Sequence, residues 1–251
     1  MLLVDPAANT YSVLCTIREG DVYGCVKSGS YFYIATRGRY PKIIRIESLR
    51  TITYADLPAG TDSHGLFEYS DEIRLVSGAH DSVLRFTKDL RYLGTDVFGV
   101  GGDNRFHVND VTMVGDTVML TCFTDVADGK WNDKGTTGFV KLDKEVGPAG
   151  MRSEISGLKM PHSPTVGNDE IWVCDSGRGS VWAGNKNVFR ETGSWTRGLC
   201  VDGGTAYIGV SDFFQFNWTK LVTVSSSQVS SGDVIASMKL PLKYIYSVTK
   251  V

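Results

Sequence analysis

Three of the chain's four histidines, His64, His107 and His162, stand in segments that otherwise read as β-strand. Neutral imidazoles are the commonest metal ligands, and three of them would suit zinc, manganese or iron. Asn109 or Asp110 would then supply an oxygen ligand, or an acceptor behind the ligands. A metal-free chemistry is equally available to these residue types. One histidine acts as general acid or base, Arg197 and Arg178 fork onto a substrate carboxylate, sulfate or phosphate, and Asp175 orients a histidine. The candidate catalytic residues are therefore His107, His162, Arg197 and Asp175. Ser163 and Ser176 stand near histidines, but neither sits in a nucleophile-elbow pattern, which disfavours a covalent route.

These residues can cooperate only if the chain brings distant segments together, and an internal repeat supplies the means. Five fifteen-residue segments align without gaps, beginning at Tyr23, His64, Asn109, His162 and Arg197, with starts 41, 45, 53 and 35 residues apart. Each holds a short apolar strand, a turn of Gly, Asp, Ser or Asn, and a second strand of β-branched and aromatic residues. Two more strand-like pieces follow most of these hairpins, as in "SVLRFTKDL" with "YLGTDVFG". Four antiparallel strands recurring at this period are the signature of β-propeller blades. No segment keeps apolar residues at helical spacing for more than two turns. The expectation is a single all-β domain over residues 1–251, with five complete blades.

The two ends complete the ring in this reading. "MLLVDPAANTYSVLCTI" resembles a strand pair without an inner partner, and "YIYSVTKV" an inner strand without outer ones. Together they would form a composite closing blade and hide exposed edges, giving six blades, or five if they merge into an existing one.

Innermost strands of a propeller line its central channel, so repeat position one (Tyr23, His64, Asn109, His162, Arg197) should ring one mouth. His107, two residues before Asn109, points the same way on a strand of period two. The ends of the second strands add Arg37, His80, Asp175, Ser176 and Arg178. The opposite turns are ordinary hairpin chemistry, so this mouth is the candidate ligand pocket. Tyr23, Arg37, His64, Asn109, Ser163, Ser176 and Arg178 are its expected ligand-binding residues. The competing reading is that such polar residues only hold water and tie blades together. "TDVADGKWNDKGTTG", residues 124–138, would form a lid above the mouth, with Trp131 as a stacking platform for a flat ligand such as a sugar ring. Its acidic residues lack the EF-hand spacing.

Composition narrows the partners. With 26 Lys and Arg against 28 Asp and Glu, the chain shows no electrostatic footprint for nucleic acid or an anionic membrane. No 18-residue apolar run and no signal-peptide pattern is present, and five dispersed cysteines suit reduced thiols. A cytoplasmic location is expected.

"NRFHVNDVTM", "TDVADGKWNDKGTTGFVKLD", "GLKMPHSPTVGNDEIWVCDSGRGSVW", "TRGLCVDGGTAYIGVS" and "YIYSV" resemble, in order, the signature blocks of an uncharacterised bacterial propeller family. Those blocks are C-H-L-N-G, D-x-x-x-G-W, M-P-H-S-P, S-G-R-G, T-R-G-L and E-I-Y-D-V. The resemblance covers residues from about 100 onward and implies that His107, Asn109, Trp131, His162, Ser163, Ser176, Arg178 and Arg197 are signature positions. It brings no activity with it. Phe106 and Asp110 stand where the first block has cysteine and glycine, Lys130 separates glycine from Trp131, and "YIYSV" lacks two acids. A remoter likeness is to six-bladed sugar lactonases, whose metal is held by Glu, Asn and Asp near the axis. A histidine-rich mouth argues against carrying that mechanism over.

The resulting expectation is a propeller that binds a small polar ligand, a sugar or sugar acid, and acts on it by metal-assisted or histidine acid/base hydrolase or lyase chemistry. The alternative is a non-catalytic module that engages a protein or glycan through its rim loops.

Overall fold

The computed structural model describes residues 2–13, 21–48, 51–97, 104–114, 117–124, 138–143, 152–212, 217–225, 234–242 and 245–249. A short hairpin, β1 (Leu2–Asp5) with β2 (Thr10–Val13), comes first. The first blade is β3 (Asp21–Ser28), β4 (Tyr31–Arg37), β5 (Lys42–Ser48) and β6 (Thr51–Asp56). The second is β7 (Ser63–Tyr69), β8 (Glu72–Ser77), β9 (Ser82–Thr87) and β10 (Tyr92–Val97). The third is β11 (Val108–Val114), β12 (Thr117–Cys122), β13 (Gly138–Asp143) and β14 (Arg152–Leu158). The fourth is β15 (Pro161–Gly167), β16 (Glu170–Asp175), β17 (Ser180–Ala183) and β18 (Lys186–Arg190). The fifth is β19 (Ser194–Asp202), β20 (Thr205–Asp212), β21 (Thr219–Ser225) and β22 (Val234–Leu240). Each of these five is a four-stranded antiparallel meander, so the chain is an all-β propeller of four-stranded blades.

Local chemistry accounts for the hairpins. Asn168 and Asp169 join β15 to β16 with φ of 52° and 60°, the pair of positive values that a type I′ turn needs and that asparagine and aspartate tolerate. The second blade is buried inside and exposed outside: β7 is almost wholly buried, whereas β10, its outermost strand, is mostly exposed.

The core lies between blades. Tyr33, Ile43 and Ala35 of the first blade pack on Leu66, Ile73, Leu75 and Phe86 of the second. Phe67, Val76 and Val83 of the second meet Val108, Val118 and Leu120 of the third. Met119 and Val140 of the third meet Val173 of the fourth. Trp172, Val181 and Phe189 of the fourth meet Leu199, Ile208 and Val222 of the fifth. Every blade thus buries its apolar alternation against the next, a core no single blade could form alone.

On its far side the fifth blade meets both ends of the chain. Leu221, Met238 and Leu240 pack with Leu2, Val4, Ile245 and Val248. Residues 245–249 adopt no regular strand, yet they fit closely. A Cβ at Gly209 would lie 2.8 Å from Ile245, and the Ser247 hydroxyl donates to the Cys25 carbonyl of the first blade at 3.4 Å. No helix among the described residues is long and apolar enough to cross a membrane.

Candidate functional site

All five inner strands share one irregularity. The register of β3, β7, β11, β15 and β19 against its neighbour shifts at or beside repeat position one, between Val22 and Gly24, Ser63 and Leu66, Val108 and Val111, His162 and Thr165, and Thr196 and Leu199. A bulge re-aims the side chain it carries, and here it carries Tyr23, His64, Asn109 and Arg197, while His162, still paired with Cys174, stands immediately before the bulge of its strand. The expected open ring is in fact a buried layer. His64, His107, Asn109, His162 and Arg197 are at most 6% exposed.

One hydrogen-bonded chain crosses this layer. Arg197 donates through Nη2 to His64 Nδ1 at 3.2 Å and to Asn109 Oδ1 at 3.4 Å. The Asn109 amide donates to His162 Nε2 at 2.7 Å. His162 Nδ1 then donates to Ser176 Oγ at 2.8 Å and to the Met160 carbonyl at 2.9 Å, and Ser176 donates to the Thr196 carbonyl. Because Arg197 and the Asn109 amide can only donate, both histidines have assigned tautomers: His162 carries its proton on Nδ1 and His64 on Nε2. Burial holds the His162 imidazole well below the usual histidine range, with the Arg197 charge adding to the effect. Burial also lowers Arg197, which Asp110 partly offsets. The Arg197 guanidinium lies over Tyr246 at 4.2 Å and Tyr23 at 5.5 Å, a stacked cation in a nearly dry layer.

Beside this chain is a second arrangement. Asp62, His64 and His107 each offer one ligand atom, all within 4.8 Å of one another. His64 Nε2 is buried without a hydrogen-bond partner and stands 3.5 Å from Asp62 Oδ2. Two donors on one tetrahedral ion about 2.1 Å away would lie about 3.4 Å apart. Ser63 Oγ and Arg197 Nε are likewise buried without hydrogen-bond partners. Such atoms are rare in native proteins, and these three fall on neighbouring inner-strand residues. Burial raises Asp62 but His64 and Arg37 more than offset it, so its carboxyl falls below the usual range. Burial lowers His64 and takes His107 down to about 3.

His107 is held with care. Its φ is 47°, in the left-handed region, and its Nδ1 bonds Asn104 Oδ1 at 2.8 Å. Asp81 fixes that loop from the second blade by accepting from Phe106 N at 3.0 Å and Val108 N at 3.1 Å. The His107 ring packs edge-on to His64 and against Phe123.

Two nitrogens and one carboxylate oxygen fit zinc, manganese or iron; calcium takes oxygen ligands throughout. One adjustment is required. An ion on His64 Nε2 would move the imidazole proton to Nδ1, so Arg197 would have to release His64 and keep Asn109.

The expected ligand set of His64, His107 and His162 is thus not what the fold assembles. Both His162 nitrogens are engaged within the buried layer, and Asp62 stands in the third place. Asp175 orients no histidine: it is fully buried, accepts from Lys159 N and pairs with Arg178 at 2.9 Å. Arg178 also donates to the Gly157 carbonyl, so Arg178 and Arg197 serve separate partners and form no fork. Ser163 donates to Asp110 Oδ2 and accepts from Gly198 N, bracing the third, fourth and fifth blades. Ser176 is buried under His162. Tyr23 stacks on Tyr246 at 4.0 Å and meets His64 edge-on. Arg37 pairs with Asp62 Oδ1 at 2.7 Å, off the hydrogen-bond direction. Trp131 and the loop's Asp125, Asp128, Asn132 and Asp133 lie outside the described residues.

Behind the buried layer the channel continues as a cavity of about 370 Å³. The residues after position one, Gly24, Gly65, Asp110, Ser163 and Gly198, line it, with Tyr246–Thr249 as a further wall.

Solved structures of similar architecture share little sequence. A protein of the nidogen/laminin complex aligns with a TM-score of 0.69 at 11% identity, covering 95% of this chain and 90% of that one. A candidate gluconolactonase gives 0.64 at 13% identity, with 88% and 78% covered. Regucalcin from Agrobacterium tumefaciens str. C58, described as a calcium-binding protein, gives 0.63 at 13% identity, with 88% and 75% covered. At such identities the likeness speaks for the fold alone. No curated protein matches the sequence. Residues 95–237, more than half of the chain, match the domain of unknown function DUF4915, and the protein belongs to that family.

Proposed function

We propose that this propeller binds a small polar ligand of the sugar-acid kind where Asp62, His64 and His107 meet, and acts on it by ion-assisted hydrolase or lyase chemistry. The observation that carries the reading is the buried His64 Nε2, without a hydrogen-bond partner and 3.5 Å from Asp62 Oδ2, in a group whose three residues each place one ligand atom within 4.8 Å of the others. Magnitude favours ligation over acid/base work. General bases work best with a pKa near the operating pH, and His107 at about 3 is far too weak a base. As a ligand it needs only to be neutral, which burial ensures. A divalent ion held by Asp62, His64 and His107 would polarise a carbonyl or activate a water.

The remaining residues keep this geometry. Asn109, His162, Ser176 and Arg197 form the buried layer behind His64, with Arg197 anchored on Asn109, and Asp81 with Asn104 sets His107. Sugar-acid ligands accord with the gluconolactonase-like and regucalcin-like architecture. We further read the ring as six-bladed, with residues 245–249 as the inner element of a closing blade and β1 and β2 outside it. Their shared packing with Ile245, Leu2 and Val4 supports this.

The test is metal content by mass spectrometry after dialysis against zinc or manganese, for the parent protein and for Asp62→Asn, His64→Gln and His107→Gln. About one ion per chain, lost in each variant while circular dichroism is unchanged, is the expected result. An ion retained by all three variants, or none in the parent, would overturn the ion-assisted reading.

A further inference from the structure

Arg37, the last residue of β4, differs from the other arginines expected at this mouth. Arg197 is buried and bonded to His64 and Asn109, and Arg178 is taken up by Asp175 and Gly157. Arg37 is 44% exposed in its side chain. Its Nε faces Asp62 Oδ1 and its guanidinium lies over Tyr23, 5.0 Å from the ring centroid. Among the described residues no hydrogen bond engages its terminal nitrogens. Two contacts therefore hold the guanidinium between Asp62 and Tyr23, while its outer edge is left open. The other oxygen of Asp62 faces His64 at 3.5 Å, so that open edge is tied to the histidine pair by a single carboxylate.

We infer that the site selects hydroxy acids, with the ligand carboxylate on the outer edge of Arg37 and a hydroxyl or carbonyl of the same molecule at Asp62, His64 and His107. The inference rests on the function proposed above and adds the group that recognises charge. The Arg37–Asp62 pair adds no net charge of its own, so Arg37 contributes to selectivity through the shape of its fork. A planar fork already held in place loses little freedom when it donates two parallel hydrogen bonds to a carboxylate, and a lysine cannot reproduce that geometry.

D-Gluconate and D-glucitol differ only in whether C1 is a carboxylate or an alcohol, and calorimetric titration of both into the zinc-dialysed protein tests the point. The parent should bind gluconate at least about tenfold more tightly, as expected for hydrogen bonds to a charged group. Arg37→Gln should bring gluconate down to the level of glucitol and leave glucitol unchanged. Arg37→Lys should keep only part of the preference. Equal binding of the two by the parent, or a preference that survives in Arg37→Gln, overturns this inference and leaves the proposed site standing. If the parent binds neither, the sugar-acid reading falls, and this inference with it.

Discussion

The side-chain amide of Asn109 donates to Nε2 of His162 at 2.7 Å while its carbonyl accepts from Arg197 at 3.4 Å, so one asparagine joins three blades. Asn109→Leu has similar volume and can make neither bond. It would leave a fully buried imidazole nitrogen and part of a buried guanidinium without partners, at a cost of about 1–3 kcal/mol for each such group. Urea unfolding followed by tryptophan fluorescence should show the midpoint fall with the slope unchanged.

His162 gives the protein a definite response to acid. Its folded pKa lies well below the usual value of about 6.5, so between the two values the unfolded chain takes up a proton that the folded one refuses. The stability from the neutral form is complete above about pH 6.5 and is lost progressively as the pH falls below it. His64 and His107 carry the same sign. Unfolding free energy measured from pH 8 to pH 5 should decline, and His162→Gln should flatten that decline.

Asp81 governs His107 through its backbone, not its ring. Asp81→Ala would free the amides of Phe106 and Val108 and release the loop that holds His107 at positive φ. Stability should drop by about 1–3 kcal/mol, and zinc affinity should weaken about tenfold or more although Asp62, His64 and His107 are all present. Paired denaturation and zinc titration would separate the two effects.

Glycines test how closely the blades approach at the axis. A Cβ at Gly24 would sit 2.4 Å from the His64 carbonyl and 3.0 Å from Leu66 N, and backbone atoms cannot move aside cheaply. Gly24→Ala should therefore cost about 1–3 kcal/mol, as overpacking usually does. A Cβ at Gly204 would meet nothing within 4 Å. Gly204→Ala should be neutral or slightly stabilising in the same thermal melt.

The blades were legible because their signals are local: strand alternation, turn residues at fixed offsets and a repeat that survives gapless alignment. Position one marks residues that contact one another in the buried layer, from Tyr23 to Arg197. What it cannot express is which neighbours meet there. His162 stands at position one like His64, yet Asn109 is bonded to its Nε2 and the third place falls to Asp62. Asp62 was missed because it precedes the aligned block, although its spacing to His64 is the spacing of His107 to Asn109. Applying the period-two argument to both blades alike would have found it. Burial of the ring was out of reach as well, since it depends on how narrowly five bulged strands close around their axis.

That shared bulge has a consequence for how the protein can change. The backbone supplies five sockets of one kind, filled here by a phenol, two imidazoles, an amide and a guanidinium. Since the frame and not the occupant repeats, chemistry can be exchanged socket by socket with the strands left in register. The molecule is in that sense a holder with interchangeable tools, and its relatives could diverge in what they bind while keeping one architecture.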